Sequence, residues 1–411
     1  DAQGNTLWTQ NMLRHMTDTV GRGFRFNPDP LTTANTVYGG SFVDAQDLNQ
    51  SLLDSYRDSV ELELTFIGGQ FTLASSAAHI AEFDSPVVAV PTSNNGDFFA
   101  SRSDSLFEMV NALAHIQTQR RHLDSLGFTN MVNYSIPVDV NALGGSDNSA
   151  FDPNGNPPNL LFGEGGVDDA EDADVIIHEF GHAISHGAAP GTNLGMQRRS
   201  FDESFGDYLA ERYGRRIGVT STRVFDWDGN NEFWNGRSVS YDGVKNYNQL
   251  IFSSIYQHTD IMSSAMLEFS ANPNVGGSVA DEIILEGVHS LMPNQSFRQI
   301  AQNFIWADSL LHNGAHYNAI TSAFGSPKNI LATNSIAPSP TERNGVFIMH
   351  TPDGKVLRTE EGEEAVITLF NWSGQLLWSK TSLGQLPLPE GTQGVLQVQY
   401  KSGDQHTIKT N

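Results

Sequence analysis

Cysteine is absent from all 411 residues, and basic residues are few. The lack of cysteine excludes disulfides, thiol catalysis and cysteine-ligated zinc. Lysine and arginine number 23 against 47 aspartates and glutamates, which gives a formal charge of −24. Such an acidic surface repels phosphate backbones, which argues against a nucleic-acid partner, and it suits solubility and cation binding.

Long apolar runs are also missing. No segment approaches the length that spans a bilayer, so we expect no membrane span. The chain begins with Asp1 and shows no basic-then-apolar leader, and we interpret it as a processed form. An exported protein without disulfides needs other stabilising elements, and bound metal ions are one such element.

The residues that are present suffice for a folded chain of two or three domains, since 38% are hydrophobic and 10% aromatic. Up to about residue 100, short alternating runs such as Val60–Phe66 and Val87–Val90 predict strands joined by turns. Leu106–Leu126 predicts an amphipathic helix, and strand-like pieces follow between 129 and 166. Helical patterns then occupy roughly 170–187, 200–216, 246–269, 280–292, 296–312 and 316–324.

The C-terminal region changes character again. Ala337–Gly345 predicts a linker, and the alternating runs beyond it predict a small β-sandwich of about seven strands. Those runs are Val346–Met349, Ala365–Phe370, Gln375–Trp378 and Val395–Tyr400. We therefore expect an α+β protein with a β-rich lobe over residues 1–166, a helical lobe over residues 167–335 and a β-sandwich over residues 336–411.

The segment that carries chemistry is His178-Glu179-Phe-Gly-His182. Within a helix, residues i and i+4 lie on the same face, so His178 and His182 can direct two imidazoles at one ion. A catalytic zinc takes three protein ligands plus a water, whose pKa it lowers to about 7. Glu179 would lie beside that ion and accept the proton of the water.

Two histidines do not complete a zinc site, so a third ligand is required. A third histidine six residues beyond His182 is excluded because position 188 is alanine. Glu203 and Asp207 follow on the next predicted helix, four residues apart and therefore on one face. Glu203 can ligate zinc, while Asp207 can accept a hydrogen bond from the far nitrogen of His178 and fix its tautomer. An ordinary solvated helix face is the alternative for this pair.

Together, these positions resemble the gluzincin peptidases, with thermolysin and the fungalysins closest in pattern. The resemblance covers roughly residues 20 to 330. Three segments look fungalysin-like: Phe24–Pro30, Gly165–Asp174 and Trp306–His316. The resemblance implies a β-rich N-terminal lobe and a helical C-terminal lobe, with the zinc helix forming the floor of the cleft between them. It also implies a peptide or protein substrate.

Substrate-binding residues are carried over from the same resemblance. Asp147–Phe151 and Leu160–Gly163 look like the hairpin whose edge strand pairs with substrate. Backbone groups of Ser149 and Ala150 would then hold an extended peptide, unless the segment is an ordinary loop. Arg237 matches the arginine that binds the carbonyl just beyond the scissile bond, with a surface arginine as the alternative.

One position departs from the family pattern. Lys245 stands where a histidine usually donates to the oxyanion, and a lysine is also a donor that can stabilise this charge. If Lys245 points into solvent instead, His258 or Tyr247 can donate to the oxyanion. The other alternative is that the chain is an inactive zinc-binding homologue that acts in adhesion. An aminopeptidase is a further alternative, but the sequence has no recognisable Gly-x-Met-Glu-Asn segment to anchor a free amine.

Calcium is a second expected ion. The stretch Asp226-Trp-Asp228-Gly229 resembles a calcium-binding segment of thermolysin-like proteins, and Asp174 would share such a site. Carboxylates clustered on a turn suit the oxygen preference of calcium. The alternative is an ordinary acidic loop.

The C-terminal region from about Ala337 resembles the sorting domain of proteins exported by type IX secretion in Bacteroidetes-like bacteria. Ala337-Pro-Ser-Pro340 with Gly345 looks like its opening, although Ser339 replaces the usual asparagine. This resemblance implies contact with a secretion machinery, and an immunoglobulin-like binding module is the alternative. In either case we expect a monomer that is secreted or displayed at the cell surface.

Overall fold

The computed structural model describes residues 18–229 and 236–331, followed by the strands of the C-terminal region. The described C-terminal residues are 347–351, 354–358, 364–371, 375–383, 385–389, 392, 394–400 and 405–410. The predicted linker Ala337–Gly345 lies outside these residues.

The chain divides into two units. The first unit takes the described residues up to His122, Val132–Ile184 and Asp202–Ser240. The second unit takes Leu123–Met131, Ser185–Phe201 and the described residues from Tyr241 onward. Helices and separate antiparallel and mixed sheets occur along the chain, so the predicted α+β class is confirmed. The three-way division into residues 1–166, 167–335 and 336–411 stays a prediction.

Strands of the first unit form two larger sheets and a two-stranded ribbon. The five-stranded sheet has the order β5-β3-β2-β1-β6, and the four-stranded sheet has the order β4-β7-β9-β8. The bounds are β1 Asp18–Arg25, β2 Asp58–Ile67, β3 Gln70–Thr72, β4 Ala78–Ile80, β5 Thr92–Ser93, β6 Asp97–Phe98, β7 Ile136–Asp139, β8 Ser149–Asp152, β9 Asn159–Phe162, β10 Arg223–Val224 and β11 Arg237–Ser238. The last two form the ribbon. Within the described chain, β8 pairs with β9 alone and is an edge of its sheet.

The helices follow the predicted pattern with one large exception. Their bounds are α1 Pro30–Ala34, α2 Ser51–Asp54, α3 Ser105–Ser125, α4 Ala173–Ala188, α5 Met196–Arg216, α6 Thr259–Ala271, α7 Gly277–His289, α8 Phe297–His312 and α9 Tyr317–Phe324. Short 3-10 turns occur at Leu143–Gly145, Asp169–Glu171 and Tyr247–Gln249. Every helix in the described portion of the chain is too short or too polar to cross a bilayer.

Close packing of α4 on α5 depends on two glycines. A Cβ added to Gly181 would lie 3.1 Å from the Cα of Gly206, closer than most side chains approach a neighbour. A Cβ added to Gly206 would lie 2.4 Å from Nδ1 of His178. The two backbones can therefore approach until the imidazoles of α4 meet the carboxylates of α5.

Two sequence-based predictions of secondary structure are wrong. Val87–Val90 is not a strand, because Pro86 and Pro91 flank it and the Val88 N–H donates to Glu82 Oε2 at 2.8 Å instead of to a neighbouring strand. The helix predicted over 246–269 begins only at Thr259. Before it, side chains compete for the backbone: Asn246 Oδ1 accepts from Asn248 N–H, and Ser254 Oγ accepts from Tyr256 N–H.

The C-terminal strands form two sheets around one apolar core. Their bounds are β12 Phe347–Thr351, β13 Gly354–Arg358, β14 Glu364–Phe370, β15 Leu376–Leu383, β16 Gln385–Pro387, β17 Gly394–Tyr400 and β18 Gln405–Thr410. The sheet orders are β12-β13-β16 and β15-β14-β17-β18. Leu357 from the first sheet packs in one buried cluster with Ile367 and Val398 from the second. The expected small β-sandwich is therefore present.

Candidate metal centre

Two imidazoles and a carboxylate of the first unit converge on one point. The ligand atoms of His178, His182 and Glu203 all lie within 4.8 Å of one another. His178 Nε2 is 3.4 Å from Glu203 Oε2, and His182 Nε2 is 3.7 Å from Glu203 Oε1. Glu203 and His178 are buried, with 8% and 3% of their surfaces exposed. The three groups predicted from the sequence as metal ligands are thus brought together.

The far nitrogen of each imidazole faces a carboxylate. His178 Nδ1 lies 3.0 Å from Asp207 Oδ1, as the sequence predicts, and His182 Nδ1 lies 2.8 Å from Asp202 Oδ2. An imidazole whose Nδ1–H donates to a carboxylate keeps the lone pair on Nε2. Both Nε2 atoms face Glu203, where each can offer a lone pair to a metal ion once the ring is neutral. Sequence reasoning missed Asp202, although it adjoins Glu203 in the chain.

Negative charge dominates this centre. Burial lowers the pKa of His182, but the hydrogen bond to Asp202 and the charges of Glu203 and Glu179 outweigh burial and raise the pKa to about 10. Burial raises the pKa of Glu203, but His178, His182 and Arg237 together lower it to about 2. The site thus stabilises a cation between the imidazoles and the carboxylate. A donor set of two imidazole nitrogens and one carboxylate oxygen suits zinc in a catalytic site.

Glu179 adjoins this centre and contacts the edge strand. It follows His178 on α4 and is 7% exposed. The hydroxyl of Ser149, at the start of β8, donates to Glu179 Oε1 at 3.2 Å. The structure therefore places the predicted base and the predicted substrate-binding strand, Ser149 with Ala150, side by side in the first unit.

Arg237 lies directly against the ligand group. Its Nη1 is 3.1 Å from Glu203 Oε2, and its Nε is 3.2 Å from Asp207 Oδ1. The guanidinium also covers the ring of Phe225, with 4.9 Å from Cζ to the ring centroid. Arg237 is thus held at the centre by two carboxylates and an aromatic face. Its role in substrate binding stays a prediction.

The three candidates for oxyanion stabilisation belong to the second unit. Lys245 Nζ is held by Asp260, at 2.6 and 2.7 Å from its two carboxylate oxygens. Tyr247 donates its hydroxyl to Gln197, and His258 Nε2 lies 3.1 Å from the carbonyl of Ile251. Each of these polar groups thus has a partner inside the second unit, and its catalytic role stays a prediction.

In the described ranges of the chain, neither Asp174 nor Asp226 belongs to a group of three converging ligand atoms, and their role in binding calcium stays a prediction. Asp174 Oδ2 accepts a hydrogen bond from Phe225 N–H at 3.0 Å, and Asp226 Oδ2 accepts one from Ser221 Oγ at 3.4 Å. Among the described residues, Asp228 instead shares a group of ligand atoms with Asp147 and Asp169.

No protein-family model and no curated protein matches the sequence. Solved structures do match, and one of them is titled the precursor of protealysin, a metalloproteinase from Serratia proteamaculans. That protein is 12% identical to this chain. The match covers 61% of this chain and 88% of that chain with a TM-score of 0.46. A TM-score below 0.5 does not establish a common fold, so the function is argued from the site itself.

The carboxylate behind His182 gives a direct test of the metal centre. We expect Asp202→Asn to weaken zinc binding roughly 10- to 100-fold, because the imidazole loses its charged acceptor and a neutral amide orients and polarises the ring less strongly. Competition with a chromophoric chelator measures the affinity. Asp97→Asn, which removes a carboxylate from an exposed pair with Arg22, is the matched control and should bind zinc like the wild type. Equal affinities in both variants would contradict the assigned role of Asp202.

Proposed function

We propose that this chain is a secreted zinc endopeptidase. The observation that supports this proposal best is the juxtaposition of three metal-binding side chains with Glu179 and the edge strand β8. His178, His182 and Glu203 would hold one zinc ion, with Asp207 and Asp202 orienting the imidazoles. Zinc, when bound, supplies Lewis acidity that polarises a carbonyl and lowers the pKa of a water.

The residues of the chain supply the remaining steps. Ser149 and Ala150 bind an extended peptide through the edge of β8 that has no strand partner in the described part of the chain, since an edge strand offers backbone groups to a partner. Glu179 accepts a proton from the attacking water and returns it to the departing amine. Arg237 donates to the substrate carbonyl beyond the cleaved bond, and its planar guanidinium is pre-oriented by Glu203 and Asp207.

One observation favours a second candidate function. The Lys245 ammonium gives two of its three N–H groups to the oxygens of Asp260, and this carboxylate already balances the charge that would stabilise an oxyanion. If no other group replaces it, the chain binds zinc without hydrolysing peptides and acts as an adhesion or binding protein. The secretion signal that we infer for the C-terminal β-sandwich is consistent with either function, because both place the protein outside the cell.

Hydrolysis of casein by the full chain tests the proposal. We expect cleavage that stops when a chelator removes zinc and returns when zinc is added back. A peptide with an acetylated N-terminus should also be cleaved internally, which separates an endopeptidase from an aminopeptidase. Cleavage that persists after zinc removal contradicts the proposal. Absence of cleavage with one zinc bound per chain supports the binding protein instead.

A further inference from the structure

A second group of possible metal ligands lies in the first unit, outside the zinc centre. Asp147 immediately precedes the β8 region, Asp169 begins the 3-10 turn Asp169–Glu171, and Asp228 lies in the turn after β10. One carboxylate oxygen from each residue lies within 4.8 Å of the others. Asp169 and Asp228 are 2% and 3% exposed, whereas Asp147 is half-buried. Three distant segments thus meet through their carboxylates.

The backbone fixes these carboxylates in place. Asp169 N–H donates to the carbonyl of Gly163 at 3.1 Å, and Asp228 N–H donates to Asp172 Oδ2 at 3.0 Å. A Cβ added to Gly165 would lie 2.3 Å from the backbone nitrogen of Asp147, so this loop packs tightly on Gly165. The arrangement is therefore built by the fold and does not depend on flexible side chains meeting by chance.

A nearby cation separates the neighbouring group of acidic residues from this one, because Asp47 Oδ1 in that group is also buried without a hydrogen bond but lies 3.6 Å from Arg102 Nη2. Within the described portion of the chain, Oδ2 of Asp169 is buried and receives no hydrogen bond. In the nearby group of Asp47, Asp168 and Glu171, Arg102 supplies a buried cation 2.8 Å from Glu171. A buried carboxylate oxygen without a donor is costly unless a proton or a metal ion neutralises it.

Repulsion between the negative charges of the group adds to the free-energy cost of burying these carboxylates. Burial, followed by the charges of Asp228, Asp147 and Glu179, raises the pKa of Asp169 well above its usual value. Burial and the charge of Asp147 raise the pKa of Asp228 to about 7. The carboxyl groups of Asp169 and Asp228 are also close enough to share a proton. Either that shared proton or a cation must hold the carboxylates together.

We propose that Asp147, Asp169 and Asp228 bind one calcium ion that anchors the start of β8 beside the metal centre. An all-oxygen set of carboxylates suits a hard cation and selects against zinc, which prefers nitrogen and sulfur ligands. Asp147 is two residues before Ser149, whose hydroxyl donates to Glu179. Calcium would thus fix the edge strand that contacts the base. The site differs from the one expected from Asp174 and Asp226.

Metal-binding measurements on the full, zinc-loaded chain test this site without using peptidase activity. Terbium, a luminescent calcium substitute, should show emission sensitised by Trp227, which adjoins Asp228 in the chain. Calcium should displace it, and calorimetry at pH 8 should count the calcium ions. We expect Asp169→Asn to weaken binding roughly tenfold or more, since ligand charge sets calcium affinity. Asp147→Ser should weaken binding to a similar extent. Because position 147 is only half-buried, this second variant still tests the site if Asp169→Asn does not fold.

Asp226→Asn is the matched control, because it removes a carboxylate from the same turn but outside the group. It should keep the sensitised terbium site and its calcium affinity. The proposal is overturned if the wild type gives no sensitised emission and binds no calcium, which would leave the shared proton as the neutralising group. It is equally overturned if Asp226→Asn abolishes binding while Asp169→Asn and Asp147→Ser leave it intact.

Discussion

Glu179→Gln is expected to lower kcat/KM for peptide hydrolysis by about 10²- to 10⁴-fold while the chain keeps its zinc. The amide cannot accept the proton of the attacking water, yet it has nearly the shape of the carboxylate. Glu179 is not one of the three converging ligand side chains, so the affinity for the metal should change little. The Ser149 hydroxyl can still donate to the amide oxygen, so the start of β8 should stay in place.

Measurement of kcat/KM and of zinc content on the same protein sample separates the two effects. Glu63→Gln serves as the control because the Glu63 side chain forms an exposed pair with Arg121, and the variant should leave both quantities unchanged. Loss of zinc together with activity would show that Glu179 supports the metal instead of the proton transfer. Unchanged activity would remove Glu179 from the mechanism.

Arg102→Met is expected to destabilise the first unit by about 3–5 kcal/mol at pH 8, because it leaves buried carboxylates without their cation. Arg102 is fully buried. Its Nε and Nη2 donate to Glu171 at 2.9 and 2.8 Å, and Nη2 also donates to Asp44 at 2.6 Å. Trp227 Nε1–H adds a hydrogen bond to Glu171 at 2.9 Å, so several elements depend on this carboxylate.

The pH dependence gives this prediction a second readout. Burial raises the pKa of Glu171 from 4.5 to about 7 even though Arg102 opposes the shift. The folded state therefore binds a proton more tightly than the unfolded state, and the stability from that proton is lost as the pH rises from 4.5 through 7. Removal of Arg102 raises this pKa further, so the variant should lose less stability at pH 5 than at pH 8.

Urea unfolding at both pH values measures the difference. Arg121→Met, which removes an exposed arginine paired with Glu63, is the control and should cost less than about 1 kcal/mol. A loss below about 1 kcal/mol for Arg102→Met at pH 8 would contradict the account of this buried ion pair.

Local spacing explains why the metal ligands could be predicted. His178 and His182 are four residues apart on one helix, as are Glu203 and Asp207 on the next, and helical periodicity alone aligns such pairs. Sequence reasoning missed Asp202 because helical periodicity does not pair it with another ligand on the same helix face. It reaches His182 only because α4 and α5 approach closely through their glycines, which is a tertiary effect.

Long-range pairing explains the other differences. The carboxylates that converge in the second group come from three separate segments, those of Asp147, Asp169 and Asp228. No spacing in the sequence predicts that these segments lie close together. The composition of Val87–Val90 is typical of a strand, but a strand needs backbone hydrogen bonds to a neighbouring strand. The flanking prolines lack an N–H, and the Val88 N–H donates to Glu82 instead. Over 246–258, apolar periodicity favoured a helix, but asparagine and serine side chains bind the backbone locally instead.

Zinc-edge anomalous diffraction from crystals of the full chain grown with zinc tests the central claim most directly. The account predicts one strong anomalous peak bound to His178 Nε2, His182 Nε2 and a carboxylate oxygen of Glu203, at about 2.0–2.2 Å from each. Asp207 and Asp202 should remain on the far nitrogens of the imidazoles. A zinc-loaded crystal with no peak between these three side chains would contradict the account, even if zinc were found elsewhere on the acidic surface.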